Sequence, residues 1–197
     1  MNRVRAVDLD DQIVDAARRL LLYEAGAGFT IQQLVEEAGV ALQTFYRHFP
    51  SKDRLLLAVL EREIADSCVE MEAAVAHLDD PVARMHFYVT RPLRLLESGR
   101  SREAILITRE HFRLQQVDPD AVARASEPFA ELIAAALVDG EARGIVAPRN
   151  PRRDAWMITE LVMTTFHHYA FAGLDSDSDA VIDHLWEFCL CAVGGRR

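Results

Sequence analysis

Apolar residues recur along this chain at intervals of three and four and nowhere alternate over a useful length, so the pattern predicts an all-α protein. Ile13, Ala16, Ala17, Leu20 and Leu21 mark one face of a first amphipathic helix, and Asp8, Asp10 and Asp11 suit its positive N-terminal end. Gly26 and Gly28 end it. Thr30 then stands as the N-cap of a short second helix, with Gln33 placed to complete a capping box and Ile31, Leu34, Val35 and Ala38 pointing inward. Gly39 marks a turn, and a third short helix is predicted over about 41–49. Pro50 stops it, Ser51 caps a fourth helix with Asp53 in its first turn, and that helix runs to about residue 77.

The remainder keeps the helical period. "DDP" at 79–81 opens a helix to about residue 97, in which Pro92 predicts a kink. Gly99 breaks the chain. Further helices are expected over 101–116, 119–126, 128–143, 152–172 and 178–193, separated by Pro-, Gly- and Asp-containing stretches. Two short helices joined at a glycine, with another packed behind them, form a helix-turn-helix, in which the second short helix can enter a DNA major groove. The expected organisation is a helix-turn-helix domain over 1–50 and a larger helical body over 51–197, linked by the helix that starts at 51.

Composition narrows the classes. A chain of 197 residues, half of them hydrophobic, can bury a substantial core. No apolar run approaches the ~18 residues that cross a bilayer, and the N-terminus lacks the apolar stretch of a signal peptide, so no membrane partner and a cytoplasmic location are expected. Cys68, Cys189 and Cys191 are an odd set without a C-x-x-C, which argues against a disulfide framework or a structural zinc. No metal and no cofactor are expected.

Net charge is −9, which at first weighs against nucleic acid. Its distribution reverses the inference. Residues 1–54 hold seven Lys and Arg against eight Asp and Glu, and residues 40–54 hold Arg47, Lys52 and Arg54 against Asp53 alone. A locally basic tip on an acidic body suffices if only the tip touches phosphate.

The residue types at that tip suit a DNA groove. Val40, Phe45 and Phe49 are spaced to face the core, leaving Leu42, Gln43, Thr44, Tyr46, Arg47 and His48 on the other sides of the third helix. Gln43 can pair with an adenine edge, Leu42 can meet a thymine methyl, and Arg47 can reach guanine or phosphate. Thr44, Tyr46 and His48 offer donors to phosphate. Lys52, the only lysine, sits in the first turn of the fourth helix, where it and free backbone N–H groups can hold a phosphate. Arg3 and Arg5 suit a minor-groove arm. Taken singly, Tyr46 reads as a core-edge residue, His48 as a surface histidine and Lys52 as a solvated charge; their clustering is what argues for a groove.

"FTIQQLVEEAGVALQTFYRHFPSKDRLL", starting at Phe29, resembles the DNA-binding region of TetR-family transcriptional regulators, and the likeness covers about the first 60 residues. It implies a divergent helical ligand-binding and dimerisation domain behind that region. It also implies phosphate contacts at Thr44, Tyr46, His48 and Lys52, base-facing positions at Leu42 and Gln43, and a DNA-contacting set that includes Thr30 and Arg47. Three positions depart from the family pattern. Val35 stands where alanine is common, Leu42 where a polar contact is common, and Ala41 where serine often caps the recognition helix, a change that costs about 0.5–2 kcal/mol.

For the body, the resemblance implies a homodimer that meets double-stranded DNA at a palindromic operator, pairing through a four-helix bundle. The segments 128–143 and 152–172 are the candidates, with Ala134, Ala135, Ala136, Leu137, Ile158, Leu161, Val162 and Thr165 as packing surface. It also implies a small-molecule effector in a mostly apolar pocket. Phe87, Tyr88, Arg91, Phe112, Trp156, Phe166, His167 and Tyr169 are the candidate lining, each with ordinary core as its alternative. His167 and His168 are adjacent, about 100° apart on a helix, and do not share a metal. No G-x-S-x-G, phosphate-cradling glycine loop, H-E-x-x-H or paired E-x-x-H occurs, so no enzyme is expected. The expected function is a ligand-responsive DNA-binding regulator, a repressor by default. The alternative is a helical ligand-binding protein that has lost DNA affinity.

Overall fold

The structure, a computed structural model, describes residues 9–23, 28–97, 101–173 and 178–195. Among these residues every regular element is helical: α1 (Leu9–Tyr23), α2 (Ile31–Ala38), α3 (Leu42–His48), α4 (Lys52–Val75), α5 (Pro81–Glu97), α6 (Ser101–Val117), α7 (Pro119–Ala142), α8 (Pro151–Ala172) and α9 (Ser178–Ala192). Local chemistry accounts for the starts. The Thr30 hydroxyl accepts from the Gln33 N–H at 3.2 Å and the Gln33 side chain accepts from the Thr30 N–H at 2.7 Å, the reciprocal box expected at α2. Ser51, Asp118 and Asn150 each accept from the N–H three residues on, and Pro119 and Pro151 occupy first positions where a missing N–H costs nothing. Ala41 caps α3 without any side-chain bond. Gly39 closes α2 at φ 66°, the left-handed region open to glycine.

One expectation fails. The stretch expected as two helices, 119–126 and 128–143, is the single helix α7, with Pro128 inside it. A proline there removes a hydrogen bond and crowds the preceding turn, at about 3 kcal/mol. Packing outweighs that cost: Ala121, Ala125, Phe129, Leu132, Ile133, Ala136 and Leu137 form one buried stripe that continues across the proline. α5 likewise runs through Pro92.

Two hydrophobic cores organise the molecule. The first joins Ile13 and Ala17 of α1, Leu34 and Ala38 of α2, Phe45 of α3 and Leu55 to Leu60 of α4. Leu114 of α6 and Ala121 and Val122 of α7 reach in from the body to complete it. The second holds Cys68, Met71 and Val75 of α4 with the inward faces of α5, α7, α8 and α9. The boundary expected at residue 51 therefore falls at the start of a helix whose first two turns belong to the first core and whose last turns belong to the second. Arg113 of α6 reaches Asp53 of α4 at 2.6 Å and reinforces that seam.

The residues named as dimer surface are largely internal. Ala134, Ala136, Leu137, Ile158 and Val162 are buried inside this one chain, where α7 packs along α8. Only Ala135 of that group is exposed. The reason is periodicity: an apolar stripe on a helix reports burial without saying against what. Large apolar side chains left exposed on α8 and α9 are instead Trp156, Met157, Phe171 and Phe188.

Candidate nucleic-acid interface

The α3 helix is anchored by one residue. Phe45 is fully buried, its ring 6.2 Å from Phe49, which is also buried. That anchoring turns the opposite side outward, with Leu42 at 45% and Tyr46 at 48% exposure, and Gln43 and Arg47 exposed beside them. Thr44 is half-buried at the edge of this face. Four of the named groups thus share one accessible surface, on a helix only seven residues long.

The remaining three are held by the protein itself. His48 turns toward α1, its Nδ1 2.5 Å from the Asp10 carboxylate and its Nε2 buried without a partner, so the expected donor to phosphate is engaged in tying α3 to α1. This corrects the outward reading. An exposed ring would have been free, but a carboxylate in the first turn of α1 lies within reach. The Lys52 ammonium donates to the Phe29 carbonyl and sits 4.3 Å over the Phe29 ring. It therefore braces the lead-in to α2, with two of its three donors left over. The Thr30 hydroxyl is part of the capping box and donates to the Gln33 side chain at 2.9 Å. Arg3 and Arg5 lie outside the described residues.

Residues 13–59 match the family model described as bacterial regulatory proteins, tetR family, which covers most of α1, all of α2 and α3, and the first turns of α4. Over those residues the chain is similar to the tetR family. An uncharacterized HTH-type transcriptional regulator of Mycobacterium tuberculosis is 29% identical over 89 residues, which is 45% of this chain and 44% of that protein. The chain thus matches less than half the length of this relative. Among solved structures, FadR of Bacillus subtilis in complex with stearoyl-CoA aligns at TM-score 0.70 and 19% identity over 92% of this chain and 98% of that one. FadR of Thermus thermophilus in complex with lauroyl-CoA aligns at TM-score 0.73 and 21% identity over 95% and 96%. At such identity these two show a shared fold.

In the body, the eight candidate ligand residues do not form one wall. Trp156 is 56% exposed on the outer side of α8 and does not line an interior site; Phe112 is also exposed, while Phe87, Arg91 and Tyr169 are half-buried. Tyr88 and Phe166 are core. Three do converge. The His167 ring, 4% exposed, lies 5.1 Å from Phe112 and 5.6 Å from Phe166. A fourth member was not expected: His111 of α6, 4.5 Å from His167. His167 Nε2 and Thr108 Oγ1 are buried without hydrogen-bond partners. Burial, and secondarily His111, pushes the His167 imidazole down to about 4, and burial lowers His111, so both rings are neutral at pH 7. No three metal-ligating side chains meet among the described residues.

A cavity among the described residues lies elsewhere, between the start of α4 and the middle of α6. It measures about 300 Å³ and contains none of the eight. Leu21, Gly28, Lys52, Asp53 and Leu56 line it together with Leu106, Arg109, Glu110 and Arg113 of α6.

Proposed function

We propose that this chain is a ligand-responsive DNA-binding regulator that acts as a homodimer and represses transcription until a small, largely apolar effector releases it from a palindromic operator. The observation that carries this reading is the outward face of α3, where Leu42, Gln43, Tyr46 and Arg47 stand exposed on a helix fixed from behind by Phe45. Gln43 and Leu42 read bases; Arg47, Tyr46 and Thr44 hold phosphates. The two spare donors of Lys52 reach a phosphate from the start of α4, and Thr30 serves by fixing α2. A second copy packs on the outer face of α8 and α9 and sets the two α3 helices at the roughly 34–36 Å that separates successive major grooves.

The effector reading draws on the imidazole and aromatic group at α6 and α8. An orphaned Nε2 and an orphaned hydroxyl in an apolar setting favour an apolar ligand carrying a single hydrogen-bonding group. The acyl-CoA complexes of the two FadR proteins support a fold of this kind holding a long apolar chain. An effector releases DNA only by its differential affinity for a second arrangement of the body.

The test is a gel shift with DNA flanking the chain's own gene. A discrete complex is expected at low salt, with affinity falling as log salt rises by a slope of about −0.9 per phosphate contacted. Binding no tighter than to unrelated DNA would favour a helical ligand-binding protein instead.

A further inference from the structure

We propose that the Asp10-Asp11-Gln12 run that opens α1 is a three-way clamp that fixes the pose of α3, with Asp10, Gln12 and His48 as positioning residues for DNA binding. The inference rests on the DNA-binding reading of α3 and gives His48 a different part in it. Three consecutive residues reach three different helices. The Asp10 carboxylate accepts from Nδ1 of His48, the last residue of α3, at 2.5 Å. Asp11 accepts from the Arg62 guanidinium of α4. Gln12 Nε2 donates to the carbonyl of Ala38, the last residue of α2, at 2.7 Å. Successive helical residues point about 100° apart, so a single turn of α1 can hold all three neighbours.

α3 needs such a hold. It has only seven residues, too few to stand alone, and Ala41 gives its N-terminus no side-chain cap. Phe45 and Phe49 seat it by apolar burial, which is non-directional and leaves the helix able to rock about its anchor. The bond from His48 to Asp10 is the one side-chain hydrogen bond between α3 and another helix among the described residues. The far side of the turn is secured as well. Gly39 and Val40 close α2 by donating to the Glu36 and Val35 carbonyls, and the Ala38 carbonyl is taken up by Gln12. Gln12 and Asp10 therefore hold both ends of the segment that presents Leu42, Gln43, Tyr46 and Arg47.

The same contact limits what His48 can do. A carboxylate only accepts, so Nδ1 carries the proton, and in the neutral ring Nε2 then holds a lone pair that cannot donate to phosphate. Nε2 is also buried. His48 thus serves DNA binding through Asp10 rather than by touching the backbone. The sign of one substitution separates the two roles. An acid beside a phosphate-binding helix repels DNA, so its removal by itself tightens binding. The clamp requires the opposite.

Gel shifts of the full chain with DNA flanking its own gene give the first readout. Asp10→Ala is expected to weaken the specific complex about tenfold, as for the loss of one charge-assisted hydrogen bond, and Asp10→Asn, which keeps an acceptor for Nδ1, to recover most of it. His48→Asn places a donor where Nδ1 stands and should retain binding; His48→Gln places one where Nε2 stands and should lose as much as Asp10→Ala. Hydrogen exchange of the free protein gives the second readout. The amides of Phe45 and Phe49, bonded to the Ala41 and Phe45 carbonyls, should exchange about tenfold faster in Asp10→Ala, with those of Leu55 to Leu60 in α4 unchanged. Equal or tighter DNA binding by Asp10→Ala, or rescue by His48→Gln instead of His48→Asn, overturns the positioning role. Unchanged exchange at Phe45 and Phe49 overturns the clamp itself. If the unaltered chain forms no specific complex, the DNA-binding reading fails and the exchange measurement still decides the clamp.

Discussion

Single side chains carry separable duties. On the proposed reading Gln43 contacts a base and Tyr46 a phosphate, so Gln43→Ala should cost about 1–3 kcal/mol at one base pair and relax preference there, whereas Tyr46→Ala should weaken all sequences alike. Quantitative binding to an operator mutated base by base distinguishes them, and an unchanged preference in Gln43→Ala would remove α3 from the groove. Lys52→Ala differs again, because the bond to the Phe29 carbonyl is lost together with any phosphate contact. His167 gives a pH dependence. Unfolded, its imidazole takes a proton near 6.5; folded, it does so only near 4. The unfolded chain thus binds more protons in that window, and stability falls as pH drops from about 6.5 to 4, by on the order of 2 kcal/mol between pH 7 and 5. Urea melts should show a smaller loss in His167→Phe; an equal loss would assign the effect to other groups.

At the scale of elements, caps and stops were legible because they are local. Thr30, Gln33, Gly39, Pro50 and Ser51 act within one turn, and α2, α3 and the start of α4 fall where those residues put them. The break expected at Pro128 was wrong because a proline's local cost was weighed without the stripe from Ala121 to Leu137 that spans it. The partners of apolar faces were illegible for the same reason, so the α7 and α8 stripes were taken for dimer surface. The contacts of His48 and Lys52 within the chain were not legible because their partners, Asp10 and Phe29, lie 38 and 23 residues away. Two substitutions probe these elements. Pro128 is exposed, and Pro128→Ala restores a donor to α7, which should raise stability by about 1–3 kcal/mol in a thermal melt. Gly39→Ala meets no atom within 4 Å, so its cost is backbone strain alone, about 1–2 kcal/mol.

The whole molecule raises the question of assembly, which a thiol can report. Burial pushes Cys68 up to about 11 and Cys189 up to about 12, leaving exposed Cys191 as the reactive cysteine. It lies one turn from Phe188, which is 59% exposed on the outer face of α9. If a second copy covers that face, iodoacetamide should label Cys191 more slowly as protein concentration rises through the dimer range. Phe188→Glu should abolish that protection and produce monomers in sedimentation. A labelling rate independent of concentration in a sample that sediments as a dimer would move the interface elsewhere.

Because Leu114, Ala121 and Val122 lie in the first core, the end of the molecule that carries α1 to α3 is not a detachable module. A fragment ending after α4 would expose the seats of three apolar side chains and should behave as a loosened globule rather than a miniature of the intact protein. Anyone grafting this headpiece onto another regulator must therefore carry the end of α6 and the opening turns of α7 along with it, or redesign the surface they leave bare.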